Sequence, residues 1–99
     1  MNLEGNKLGK FAIVRLLKKL DEYNYLKSLN ISRNLVEDWC ADYIERLLVE
    51  SDSIQELYLH WNILKGEGGA KVFEGARNSK KLKLLDISSN AIGMGIDSI

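Results

Sequence analysis

Apolar positions recur along this chain in one frame: Leu, two residues, Leu, one residue, Leu, two residues, Asn, one residue, Leu. Leu26, Leu29, Ile31, Asn34 and Val36 fill it once, and Ile54, Leu57, Leu59, Asn62 and Leu64 fill it again. Leu82, Leu85, Ile87, Asn90 and Ile92 form a third complete copy, while Leu3, Asn6 and Leu8 enter the frame partway. The asparagines therefore stand 28 residues apart without insertion or deletion, and all fourteen aliphatic positions are aliphatic. Such regularity marks one structural unit copied several times. Within the frame the apolar residues alternate, as a strand with one buried face requires. The period then changes. Ile13, Leu16, Leu17 and Leu20 fall on one helical face, as do Ala41, Ile44, Leu47 and Leu48, and again Gly69, Val72, Phe73 and Ala76. Each row predicts a short strand, a turn and a helix. Strands so far apart in sequence cannot form hairpins, so they should pair in parallel through the helical crossover.

The asparagine has a structural task in this scheme. The chain turns sharply after the strand and leaves amides and carbonyls that cannot all join the sheet ladder. A buried carboxamide offers two donors and an acceptor and can satisfy several of them at once. Stacked rows would place one asparagine above the next.

The pattern resembles the leucine-rich repeat family, and within it the ribonuclease-inhibitor-like class with repeats of about 28 residues. The segment after the asparagine is similar to that family's in Leu64-Lys65-Gly66-Glu67-Gly68-Gly69, whereas Val36-Glu37-Asp38-Trp39-Cys40-Ala41 has Cys40 in place of a glycine. In the last row Ile96 takes that glycine position, with Gly95 before it. The resemblance implies an α/β fold: a right-handed leucine-rich repeat solenoid with a parallel β-sheet on the concave face and helices on the convex face. It also implies a non-catalytic scaffold that binds a protein partner on the concave strand face. The alternative by resemblance is a regulator like the Ran GTPase-activating proteins of the same family.

Composition narrows the partner. Fourteen basic and fourteen acidic side chains cancel, so no overall field attracts nucleic acid or an anionic membrane. One cysteine, Cys40, cannot form an internal disulfide, and no Cys or His pair has metal-ligand spacing, so no metal or cofactor is expected and a reducing, cytoplasmic setting is the economical reading. No apolar run approaches the roughly 20 residues needed to span a bilayer, and Met1 to Lys10 lacks the layout of a secretory signal.

Residues between the buried positions of each strand should face outward. One column reads Asn2, Asn30, Tyr58, Asp86; the next reads Glu4, Ser32, His60, Ser88; the strand exit reads Gly5, Arg33, Trp61, Ser89. The candidate protein-binding residues are Asn30, Ser32, Arg33, Tyr58, His60, Trp61, Asp86 and Ser88. Tyr, Trp and Arg dominate binding energy at many interfaces. The competing reading is that Trp61 covers its turn and Tyr58 merely suits a strand. His60 lacks a nucleophile and an oxyanion site nearby in sequence, so no catalytic residue is expected. Gly66, Gly68, Gly69 and Gly75 match neither dinucleotide nor phosphate-loop spacing.

Residues 1–99 read as a single domain of about three and a half rows, with neither end shaped like a polar cap. The expectation is therefore a segment of a longer solenoid, or a chain that self-associates end to end.

Overall fold

The computed structural model describes residues 1–20, 25–34 and 36–90. The elements are α1 (Lys10–Leu20), β1 (Ser28–Asn30), a 3-10 turn (Asp38–Cys40), α2 (Ala41–Glu50), β2 (Glu56–Tyr58), α3 (Gly66–Asn78) and β3 (Leu84–Asp86). The three strands form one parallel sheet in the order β1-β2-β3, with Leu29 opposite Leu57 and Leu57 opposite Leu85. The sheet register thus equals the sequence period, as the spacing of the strands predicts. The first row adds a single parallel bridge, Asn2 to Asn30.

Leu29, Ile31, Val36, Leu57, Leu59 and Leu64 are fully buried and pack against Ile13 and Leu17 of α1, Ile44 and Leu48 of α2, and Val72 of α3. Each such side chain contributes on the order of 1.5–3 kcal/mol by leaving water. Leu3, Leu8, Leu82, Leu85 and Ile87 are only partly buried, since a described row covers each from one side alone. Among the described residues no helix is long and apolar enough to cross a membrane.

The asparagines tie the rows together. The Asn62 side-chain amide donates to the carbonyls of Leu59 in its own row and Ile31 in the row before, at 3.0 and 3.2 Å. Its oxygen accepts from the amides of Asn34 and Val36, at 3.0 and 3.1 Å. Asn34 repeats the arrangement, donating to Ile31 and Leu3 and accepting from Leu8. Asn90 does so again, donating to Ile87 and Leu59 and accepting from Leu64. No buried side-chain nitrogen or oxygen among the described residues lacks a partner.

Two expectations need correction. The first is the ribonuclease-inhibitor-like, leucine-rich repeat solenoid. The described residues form a small α/β unit of three helices and three strands of three residues each, within 38 × 28 × 18 Å. A strand-turn-helix period fixes parallel pairing, but so few and such short strands do not build an extended concave face. In the row after Val36 a 3-10 turn precedes α2, whose buried Ala41, Ile44, Leu47 and Leu48 are those that the helical spacing predicts. There the Asp38 carboxylate accepts from the Lys65 amide at 2.7 Å and so satisfies a backbone donor at the start of α3. The second is the face of α3. Gly68, Gly69, Val72 and Gly75 are buried while Phe73 is 48% exposed. The helix after Asn90, with Ile92, Gly95 and Ile96, lies outside the described residues.

Close approach explains the rotation of α3. A Cβ on Gly75 would stand 2.8 Å from Glu45 Cα, and one on Gly68 would run into Asp38. The glycines let α3 settle against α2 and set which face turns inward. Gly75→Ala should therefore destabilise the fold by about 1–3 kcal/mol through overpacking, although helix propensity alone favours alanine by about 1 kcal/mol. Urea unfolding decides the sign.

Candidate protein-binding surface

The helices lie against the side of the sheet that carries Leu29 and Leu57, which leaves the opposite side for polar residues. Asn30, Tyr58 and Asp86 stand there in register. Two of them serve their own turns: the Asn30 and Asp86 side chains each accept from the amide two residues on, at 3.0 Å, as Asn2 does for Glu4. Tyr58 has no side chain suited to that bond. In its row the His60 amide donates instead to the Ser32 hydroxyl of the neighbouring row, at 3.0 Å.

That substitution relocates one candidate. Ser32 was expected on the outer face, but it is wholly buried beneath His60. The signal was legible in the column Asn2, Asn30, Tyr58, Asp86, because the tyrosine breaks a series of turn-capping side chains and leaves an amide in need of another acceptor.

His60 sits at the centre of the cluster. Its Nε2 is 3.3 Å from Glu4, and its Nδ1 is 3.0 Å from the Ser32 hydroxyl and 3.3 Å from Asp86. With its proton on Nε2 the ring donates to Glu4 and accepts from Ser32. The Ser32 hydroxyl is wholly buried and already accepts from the His60 amide. The Ser-His-Asp set is therefore a structural clasp.

Glu4, which sequence reasoning left out of the candidate set, joins three rows. It accepts from Asn30 at 3.1 Å and pairs with Arg33 at 3.2 Å and with His60. The Asn30 bond, then those of His60 and Arg33, hold its carboxyl below the ordinary value. Asp86 is likewise held low, chiefly by the Ser88 hydroxyl at 2.7 Å and the Ser88 amide. Burial, with Glu56 alongside, pushes the Tyr58 phenol up. No group of three metal-ligating side chains occurs among the described residues.

Trp61 stands beside this cluster and is 59% exposed. Arg33 lies 5.7 Å from the centre of its ring, within cation–π range. Both residues have left-handed backbones, with φ of 55° and 54°, as do Gly5 and Ser89 at the same place in other rows. A bulky residue there is a conformational outlier. The structure thus brings together Asn30, Arg33, Tyr58, His60, Trp61, Asp86 and Ser88, and withdraws Ser32 from the surface.

No protein-family model and no curated protein matches the sequence. Solved structures share the fold, among them the following two. One is titled leiomodin-1 actin-binding site 2, with a TM-score of 0.83 and 19% identity over 93% of this chain and 53% of that one. The other is a tropomodulin C-terminal domain of Caenorhabditis elegans, with a TM-score of 0.84 and 16% identity over 91% of this chain and 55% of that one. The chain spans about half the length of the structures it matches. These likenesses replace the ribonuclease-inhibitor-like leucine-rich repeat assignment. Neither is a Ran-type GTPase activator, and that alternative is set aside.

Two predictions follow from the clasp. Ser32→Ala removes the acceptor for the His60 amide and should cost about 1–3 kcal/mol of stability, measured by urea unfolding. Because Glu4 and Asp86 titrate lower when folded, their stabilisation is present above the ordinary carboxylate pKa of about 4 and is lost as pH falls through the folded values. The unfolding midpoint should hold near neutral pH and drop below about pH 4. In Asn30→Ala, where the main support of Glu4 is gone, that drop should be shallower.

Proposed function

We propose that the chain is a non-catalytic protein-binding module that needs no cofactor and presents Arg33, Trp61 and the ribbon Asn30, Tyr58, His60, Asp86 and Ser88 to a protein partner. The observation that carries this reading is Trp61: an exposed indole under an arginine, held in a left-handed backbone where Gly5 takes the same place. Every row takes this left-handed turn, so the fold requires the conformation; what is particular to this row is a large exposed aromatic at a place that glycine fills in the first row and serine in the last. An exposed aromatic with a stacked arginine is the kind of pair that dominates association energy.

Actin is the first partner to test, since the leiomodin-1 structure of like fold is named for an actin-binding site. An intracellular setting goes with that partner. In cosedimentation with filamentous actin, Trp61→Gly should bind about thirtyfold more weakly, equivalent to roughly 2 kcal/mol. Its unfolding free energy should move by less than about 1 kcal/mol, because glycine relieves the left-handed strain as it removes the ring. Equal losses of folding and binding would make Trp61 a packing residue, and a wild-type chain left in the supernatant would dismiss actin.

A further inference from the structure

The helical side of the molecule carries a second surface, which the core uses only in part. Helix α1 buries Ile13, Leu17 and Leu20, yet Phe11, Val14, Arg15 and Lys18 form another stripe along it. With Tyr43 of α2 they line an open groove of about 360 Å³. Phe11 is 81% exposed at one end, and the Lys18 ammonium lies 5.9 Å from the Tyr43 ring centre at the other. The sequence of α1 contains no acidic residue. Among the described residues no carboxylate pairs with Arg15 or Lys18, whereas the cations of the other two helices, Arg46, Lys71 and Arg77, all have acidic partners.

From these features we infer that the α1–α2 groove is a docking site for an acidic peptide segment of another protein, one that carries a single aliphatic or aromatic anchor. The anchor enters between Phe11 and Tyr43 above Val14, and flanking carboxylates meet Arg15 and Lys18. Charge complementarity selects the occupant: two cations without a carboxylate partner among the described residues, over an apolar floor, repel a basic segment and gain by meeting an acidic one. Shape favours a peptide over a membrane surface, because the aromatics wall a concavity that admits one or two side chains. A helix that lies on lipid must project its apolar residues outward. This inference does not depend on the sheet-side reading, since the groove shares no residue with it.

The test uses the whole chain, labelled with nitrogen-15, and two synthetic peptides: Asp-Glu-Phe-Glu-Glu-Gly and its counterpart with every acid replaced by lysine. The acidic peptide should shift amide resonances of α1 and of the Tyr43 turn, and the lysine peptide should shift none. Binding should weaken at least about tenfold in Phe11→Ser and in Arg15→Glu, and fall as salt rises from about 0.05 to about 0.5 M. Phe11 is exposed, so its replacement leaves the core intact, and Arg15→Glu tests the charge without touching the apolar floor. Trp61→Gly should bind the acidic peptide as wild type does, which separates this site from the sheet face. No shift with the acidic peptide, shifts confined to the sheet side, or equal binding of both peptides would overturn the inference. So would binding to phosphatidylserine vesicles without peptide binding, or a dimer that Phe11→Ser dissolves.

Discussion

The architecture depends on what one carboxamide can do at the end of each strand. A chain that turns out of a parallel sheet leaves carbonyls pointing inward and amides with no ladder partner, and burying them unpaired costs about 1–3 kcal/mol each. Asn62 meets four such groups, two in its own or the preceding strand end and two in the preceding turn. Asparagine alone among side chains of its size has donors and an acceptor in one plane to do so; aspartate would bring a charge into a buried site and lose both donors. Since each asparagine reaches back to the row before, the 28-residue spacing is enforced by geometry. A one-residue insertion would separate the carboxamide from two rows at once.

The same turn decides where Trp61 points. To bring the asparagine inward, the residue before it takes a left-handed conformation, and this holds at Gly5, Arg33, Trp61 and Ser89. A side chain at that position leaves the core side and stands at the sheet exit, above the ribbon that Glu4, His60 and Asp86 knit across the rows. The exposed tryptophan is thus a consequence of the asparagine ladder, and Arg33 reaches it because the two positions are one row apart in register. Rigidity comes from the ladder below and from the clasp beside it. A surface held in this way loses little conformational entropy when it meets a partner.

Much of the fold is legible in the sequence, and the limits have physical causes. Leu29, Leu57 and Leu85 pair in the register that the period dictates, because alternation of period two allows only one face inward. Helical periodicity is more permissive. In α3 it fits Phe73 and Ala76 as well as Gly75, and what decides is the backbone of α2 at Glu45, which no local pattern reveals. Ser32 was misplaced for a similar reason: alternation assigns it outward, but the tertiary need of the His60 amide draws it in. The family assignment failed at another level. Spacing and burial specify that strands stack in parallel with helices beside them, but such a frame does not identify kinship, and the structures of like shape share only 16–19% of their residues with this chain.

The two surfaces differ in how they were freed from folding. On the sheet side, polar residues are exposed because the strand pleat sends alternate side chains away from the core, and they satisfy one another across rows before any partner arrives. On α1 the core needs only Ile13, Leu17 and Leu20, spaced so that one stripe suffices. Phe11 adds no core burial at 81% exposure, and phenylalanine has no helix-forming advantage over the polar residues common at such positions. Arg15 and Lys18, unlike the paired cations of α2 and α3, have no acidic partner among the described residues. An exposed aromatic carries a cost in solubility that the fold does not recover, and two cations flank it. Their grouping around a concavity, instead of scattered over the surface, is what distinguishes a recognition site from ordinary exposed side chains.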